Sequence, residues 1–200
     1  IRMTIFKNNN ESEPFKKFRD LYKDAESLGQ DNIEAILICS YSKQDEEVDA
    51  RFVNLKSLDN NKFIFYSNYE SPKSKQFQSH TQISAVIFWG KSNVQIRMKA
   101  NITKISEIES NNYFLSRDKK KNALAIISRQ SEIIGSYNEI CNLYESKLSN
   151  EDQLNIRPDY WGGYAFVPYY FEFWKGHESR LNYRKAYYLK DSEWKSNTLQ

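Results

Sequence analysis

Apolar residues recur at helical spacing through Phe15, Phe18, Leu21, Tyr22, Ala25 and Leu28, with Pro14 ahead of them and Gly29 behind. Proline suits a first helical turn and glycine a position just past the last, so the pattern predicts an amphipathic helix over 14–28. Residues 1–13 are polar and poorly patterned, and they predict a flexible N-terminal arm before a single domain over 14–200.

Period-two alternation follows. Ala35 to Ser40 is short, apolar and rich in branched residues, the polar run Lys43 to Glu47 predicts a hairpin turn, and alternation resumes over Ala50 to Leu58 and Lys62 to Ser67 across the turn Asp59-Asn60-Asn61. Ile83 to Trp89 and Val94 to Ile105 predict two more strands joined at Gly90 to Asn93. The period changes at Ser106, where Ser106 and Glu109 have the spacing of a capping box. Ser136 and Glu139 repeat that signal before Ile140, Leu143, Tyr144 and Leu148, and a short helix is expected over Asn122 to Ile127. After Pro158, strands are expected over Tyr164 to Val167, Tyr170 to Trp174, Ala186 to Leu189 and Trp194 to Ser196. Many antiparallel strands interrupted by a few helices predict a mainly β chain with helical additions, of α+β class, closing as a barrel rather than a βαβ fold.

Composition narrows the function. The chain of 200 residues carries 29 Lys and Arg against 26 Asp and Glu, a net charge of +3 without a basic tail or stripe, which argues against nucleic acid. With only 2 His and 2 Cys, a structural metal site is not expected, and Cys39 and Cys141 do not form a disulfide framework. The apolar runs are too short for a membrane span and the start lacks a signal-peptide core, so a cytoplasmic protein is expected. The 14 Tyr, 12 Phe and 4 Trp supply a ring-rich core with surface to spare for a flat ligand.

Four patches combine cations, amides and rings. Arg51-Phe52-Val53-Asn54-Leu55-Lys56 puts Arg51, Val53 and Leu55 on one strand face and Lys56 on the other. Tyr66-Ser67-Asn68 leads into Ser71-Pro72-Lys73-Ser74, expected as a hydroxyl- and lysine-bearing loop suited to a phosphate. Tyr113 and Arg117 stand four apart, ahead of Ser128-Arg129-Gln130-Ser131. The last patch runs Tyr160-Trp161-Gly162-Gly163-Tyr164, Phe171-Glu172-Phe173-Trp174-Lys175-Gly176 and Arg180-Leu181-Asn182-Tyr183-Arg184. There is no G-x-G-x-x-G or P-loop, so any flavin or nucleotide would be held by side chains.

The succession W-G-G-Y, E-F-W-x-G and R-L-x-x-R resembles the pyridoxamine 5'-phosphate oxidase family, from about Pro14 to the end of the chain. The resemblance implies an FMN-binding split β-barrel, an antiparallel Greek-key-like barrel of six strands, that dimerises with FMN at the subunit interface. It implies cofactor contacts from Arg51, Lys56, Tyr66, Ser67 and Lys73, further hydrogen bonds from Gln95, Gln130 and Ser131, and Trp174 and Arg184 along the flavin ring. By the same likeness Lys56, Tyr113, Arg117 and Lys121 clamp the substrate phosphate, and Arg180, with Asn182, lies at the reacting ring as the catalytic pair.

The implied activity is oxidation of pyridoxamine or pyridoxine 5'-phosphate, a phosphorylated pyridine, to pyridoxal 5'-phosphate with O₂ as acceptor. The chain departs from the family pattern where R-L-H-D-R becomes Arg180-Leu181-Asn182-Tyr183-Arg184, where Lys121 replaces a serine and where Pro72 replaces an arginine. Asparagine hydrogen-bonds but carries no titrating proton, so these departures fall mainly on the substrate side. They motivate two alternatives: an FMN-dependent oxidase of another aromatic substrate, of the phenazine-biosynthesis type, and a non-catalytic FMN- or pyridoxal-phosphate-binding protein.

Overall fold

The computed structural model describes residues 4–200, the side chains at 151 and 152 excepted; the first three residues of the expected arm lie outside the described residues. The helix predicted from the Phe15–Leu28 pattern is α1 (Glu13–Ser27), with Pro14 in its first turn. It buries Phe15, Phe18, Tyr22 and Ala25. Ahead of it, Ile5–Lys7 forms β1, pairing in parallel with Ser57–Asp59, so part of the expected arm is tied to the sheet. Three residues are too few to show a period, and Phe6 is held by tertiary contact, its ring 5.0 Å from that of Tyr22.

Two hairpins follow the alternation. In β2 (Ala35–Ser42) and β6 (Gln82–Trp89) every second residue is buried, and β7 (Val94–Lys104) continues the alternation, as expected for sheet with one face in the core. The stretch predicted as one strand over 50–58 is two, β3 (Glu47–Asn54) and β4 (Ser57–Asp59). The chain bends between them at Leu55 and Lys56, whose amides donate to the Glu34 and Ile64 carbonyls, both at 2.8 Å. That bend closes the barrel. Pairing runs β4, β5 (Lys62–Asn68), β8 (Trp161–Lys175), β7, β6, β2, β3, and β3 leads straight back into β4. Taken as one bent strand, β3–β4 makes a six-stranded ring with β5, β8, β7, β6 and β2.

The strands expected over 164–167 and 170–174 are one, β8, running through Pro168. Its partner β7 shifts register between Lys99 and Ala100, which pair with Tyr170 and Pro168. The extra residue is a bulge, the usual setting for a proline within a sheet. The first half of β8 pairs with β5, whereas its second half, still paired with β7, takes β9 (Tyr183–Lys190) as its other neighbour, itself paired to β10 (Glu193–Leu199).

Aromatic side chains fill the ring and the layer under α1. Phe18 stands edge-on to Phe63 at 4.9 Å, Phe15 edge-on to Phe171 at 5.2 Å, and the buried Trp89 indole donates to the Ile33 carbonyl at 3.1 Å. Truncating a ring such as Phe18 to alanine costs about 3–5 kcal/mol.

The loop expected after Asn68 is instead α2 (Pro72–Ser79), begun by proline and with Ser71 extended at its N-cap. Eight mostly polar residues give no apolar period, but Ser71 and Ser74 hydroxyls both donate to the Asn68 carbonyl, at 2.8 and 2.7 Å, and fix the corner. The predicted capping box opens α3 (Glu107–Ser116), which is followed by α4 (Lys119–Ile127), α5 (Tyr137–Leu148) and a 3₁₀ turn over Glu151–Asn155. Asn122, buried between them, donates to the Phe114 and Leu154 carbonyls at 2.9 and 3.0 Å and so fastens α4 to its neighbours. Among the described residues no helix is long and apolar enough to cross a membrane.

Candidate functional site

A cavity of about 720 Å³ opens where β3, β5, α2, α3 and α4 meet. Arg51, Lys56, Tyr66, Ser67, Lys73, Tyr113, Arg117, Lys121, Gln130 and Ser131, all singled out in the sequence, line it. They arrive from six separate stretches of chain, brought together by barrel closure and by the packing of α4.

Arg51 is the most firmly held of its cations. Its guanidinium donates to the Ser40 hydroxyl at 2.5 Å, to Gln76 Oε1 at 2.9 Å and to the Ile38 carbonyl at 3.3 Å, and it pairs with Asp49 at 2.5 Å. Ser40 and Gln76 are themselves buried and joined by a 2.5 Å hydrogen bond. Such a fork of fixed donors suits a phosphate or carboxylate. Lys73, buried at the start of α2, has its pKa pushed down to about 8, first by burial and then by the Arg51 charge, with Asp49 opposing. Asp49 ends below the usual carboxylate range, because the Arg51 hydrogen bond and charge outweigh burial.

The opposite wall is aromatic. Tyr66 stacks on Tyr113 at 3.7 Å and on Trp161 at 5.4 Å, with interplanar angles of 10° and 11°, and the Arg117 guanidinium lies 4.4 Å from the Trp161 ring centroid. Burial, followed by Tyr113 and Glu109, raises the Tyr66 pKa above the ordinary tyrosine value. The Gly162-Gly163 pair makes this packing possible. A Cβ at Gly162 would collide with the Tyr69 hydroxyl, and one at Gly163 with Ile105. The segment bearing Gln130 and Ser131 docks through Asn68 Nδ2, which donates to the Ser128 carbonyl at 3.1 Å, and through Ser67 Oγ, 3.4 Å from Gln130 Oε1.

The other sequence candidates are elsewhere. Gln95, Trp174, Arg180, Asn182 and Arg184 line a second cavity of about 510 Å³, on the outward face of β7, β8 and β9. Strand register explains the grouping, since Trp174 pairs with Gln95 on one side and Arg184 on the other. The next row holds Arg97 beside Glu172. Glu172, with 5% of its side chain exposed, accepts from Arg184 at 2.9 and 3.2 Å, from Arg97 at 3.1 Å and from the Tyr170 hydroxyl at 3.1 Å. Arg180 and Asn182 sit on the loop between β8 and β9, where Arg180 has φ 62° and Asn182 Oδ1 accepts from the His177 amide at 3.1 Å. Within a single chain these side chains are therefore divided between two cavities.

Sequence patterning missed Ser40, Asp49 and Gln76 around Arg51, and Arg97 and Glu172 in the second cavity. Gln76 gave no signal while its helix looked like a loop. Glu172 did give one, as an acid between two phenylalanines in an otherwise apolar strand. Among the described residues no group of three or more His, Cys, Asp or Glu is placed to hold a metal ion.

Residues 31–145 match the family described as pyridoxamine 5'-phosphate oxidase, and residues 161–200 match the pyridoxine 5'-phosphate oxidase C-terminal dimerisation region. The pyridoxine/pyridoxamine 5'-phosphate oxidase of Legionella pneumophila (strain Paris) is 33% identical over 96% of this chain and 89% of its own. The protein of that name from Trichormus variabilis is 34% identical over 94% of this chain and 89% of its own.

Among solved structures, PhzG from Burkholderia lata 383, in complex with tetrahydrophenazine-1-carboxylic acid, superposes with TM-score 0.87 at 22% identity, covering 94% of this chain and 93% of that one. A pyridoxamine 5'-phosphate oxidase-related, FMN binding protein from Nostoc punctiforme PCC 73102 superposes with TM-score 0.76 at 13% identity, covering 92% and 97%. These superpositions show the fold, the split barrel expected from the sequence. With a family match over more than half of its residues and relatives one-third identical over nearly all of them, the chain belongs to the pyridoxamine 5'-phosphate oxidase family.

Proposed function

We propose that the protein is an FMN-dependent oxidase that converts pyridoxamine or pyridoxine 5'-phosphate to pyridoxal 5'-phosphate. The observation that carries this reading is the first cavity, where Arg51, Lys56, Lys73, Arg117 and Lys121 converge beside a stacked aromatic wall. The donor set fits FMN: a fixed guanidinium and a buried ammonium for a phosphate, with hydroxyls and amides for a ribityl chain.

Bound FMN would supply the two-electron oxidation of the substrate's exocyclic carbon, with O₂ as final acceptor and H₂O₂ as product; the alcohol substrate would give the aldehyde directly, and the amine would give it by hydrolysis of the imine with release of ammonia. The chain's own side chains position the reactants. Arg51, Ser67 and Lys73 hold the cofactor phosphate and ribityl chain, with Lys56 and Tyr66 beside them and Gln130 and Ser131 as further partners. Tyr113, Arg117, Lys121 and Lys56 anchor the substrate phosphate. Trp174, Gln95 and Arg184 would hold the flavin ring, and Arg180 with Asn182 would cover the substrate ring and exclude water. Holding both rings in contact accounts for much of the acceleration such an enzyme needs.

Because one chain separates the two groups of residues, the working site is a cleft of a homodimer, with the first cavity of one protomer completed by the second cavity of its partner. The match of residues 161–200 to a dimerisation region supports this assembly. We place the enzyme in the cytoplasm, as a partner of small molecules rather than of nucleic acid or membrane.

The test is anaerobic mixing of the FMN-loaded protein with each phosphorylated vitamer. Flavin absorbance bleaches if the reading holds, and a spectrum that stays oxidised with both vitamers overturns it. A second reading, an FMN-dependent oxidase of another aromatic substrate, is favoured by one observation: Asn182 spends its amide oxygen on the His177 backbone. Faster bleaching by phosphate-free aromatics than by the vitamers would select it.

A further inference from the structure

We propose that Asp49 is a built-in stand-in for the ligand's phosphate: its carboxylate occupies the Arg51 guanidinium in the ligand-free protein and must be displaced when a phosphorylated ligand enters. The inference rests on the reading of the first cavity as a phosphate site, and it adds a residue that sets the affinity of that site.

Arg51 and Asp49 stand two apart on β3, hence on one face, and both line the cavity with Lys73. Their ion pair is 2.5 Å long, yet its two ends are held very differently. The Arg51 side chain is 19% exposed and is anchored by Ser40, Gln76 and the Ile38 carbonyl, oxygens from β2 and α2. The Asp49 side chain is 54% exposed, on a strand with no buried residue. When an anion arrives, the guanidinium is kept in place by its other partners, while the half-exposed carboxylate gives up Arg51 together with its contacts to the Ala50 amide and Gln76 and turns into solvent. The exchange swaps a monoanion for a phosphate dianion, which Arg51 and Lys73 neutralise together.

Asp118, the other carboxylate lining this cavity, is engaged differently: it caps α4 by accepting from the Lys120 amide at 2.8 Å, whereas Asp49 is the one paired with Arg51. The arrangement also explains how Arg51 and Lys73 stand together without ligand, since Asp49 offsets the repulsion that Arg51 exerts on Lys73. Its consequence is a site tuned to be weaker than its cations allow, selective for a dianion over weaker anions.

The experiment uses the full-length protein stripped of flavin and three variants, Asp49→Asn, Asp49→Ser and Asp49→Glu. FMN and riboflavin, which lacks the phosphate, are titrated by flavin fluorescence, and inorganic phosphate by thermal shift. Asp49→Asn and Asp49→Ser are expected to bind FMN about tenfold more tightly than the unmodified protein, the scale of one unit charge removed a few ångströms from an anion at a half-exposed position. Riboflavin affinity stays unchanged, Asp49→Glu stays near the unmodified protein, and inorganic phosphate follows FMN. FMN binding to the asparagine and serine variants no tighter than to the unmodified protein overturns the proposal while leaving the cofactor assignment intact. An unmodified protein that binds neither FMN nor inorganic phosphate overturns the cofactor assignment and this inference with it.

Discussion

Arg51 in the first cavity and Arg184 in the second are both guanidiniums held by oxygens, yet the oxygens differ in kind. Arg51 is fixed by a hydroxyl, an amide and a carbonyl, with a half-exposed carboxylate added. Arg184 is fixed chiefly by Glu172, a buried carboxylate shared with Arg97, and also donates to the Gln200 carbonyl at 2.6 Å. Neutral partners leave a guanidinium its full charge for a ligand, whereas a buried carboxylate cancels part of it and turns the cation into a shaped, weakly charged surface. The first arrangement suits a phosphate and the second suits a flat ring, a difference that fold class alone does not convey.

The comparison breaks most visibly at Glu172. Glu172→Ala leaves two guanidiniums facing each other without their shared partner, and loss of about 3 kcal/mol of stability is expected in urea unfolding, the low end for a buried pair because both arginines are partly exposed. A loss below about 1 kcal/mol would mean that the two cavities do not differ as argued.

Arg51→Met is expected to leave folding closer to intact and instead to cost about 2 kcal/mol in FMN binding, the size of a charge-assisted hydrogen bond to phosphate. Titration with riboflavin provides the internal control, since its affinity should not move.

The pH dependence sharpens the contrast further. Lys73 has its pKa pushed down to about 8 in the ligand-free protein, and bound phosphate raises it again. FMN affinity is therefore flat just below pH 8 and weakens above it, by up to about tenfold per pH unit until the pKa of the complex is passed. Lys73→Met removes that slope. In the ligand-free protein the same shift makes stability climb as pH rises from about 8 toward the ordinary lysine range, because the unfolded chain still holds a proton that the folded chain has lost. A measured stability that falls across this window contradicts a depressed Lys73.

The smallest change in stability is expected at the loop of the second cavity. Arg180→Ala alters unfolding by less than about 0.5 kcal/mol, as at exposed positions generally, while slowing anaerobic flavin reduction by the vitamers. Asn182→His restores a titratable ring at the position where the chain departs from its family, and it should speed that reduction if the phosphorylated vitamers are the substrates.

The patches stood out because their residues are of unusual type for their surroundings, and the family resemblance joined them into one site. Trp174, Arg180 and Arg184 stand out in an aromatic strand and its following loop, and Tyr113 with Arg117 stands out at a helix end. What escaped was the support around them. Ser40 alternates into the barrel like any small strand residue, and Gln76 lies in a helix too short and polar to show its period, yet together they aim Arg51.

The amino-acid order by itself determined the secondary elements with strong local periods, namely α1, the barrel hairpins and the capped helices, because alternation, capping and turn residues act within a few positions of chain. It also determined the chemistry available, the arginines, lysines and aromatic rings of the four patches. Only the tertiary structure decided that β3 bends into β4 to close the ring, that β1 joins the sheet, and that the candidate residues divide between two cavities. Those outcomes depend on pairings and packing between residues distant in sequence, whose energies no local pattern encodes.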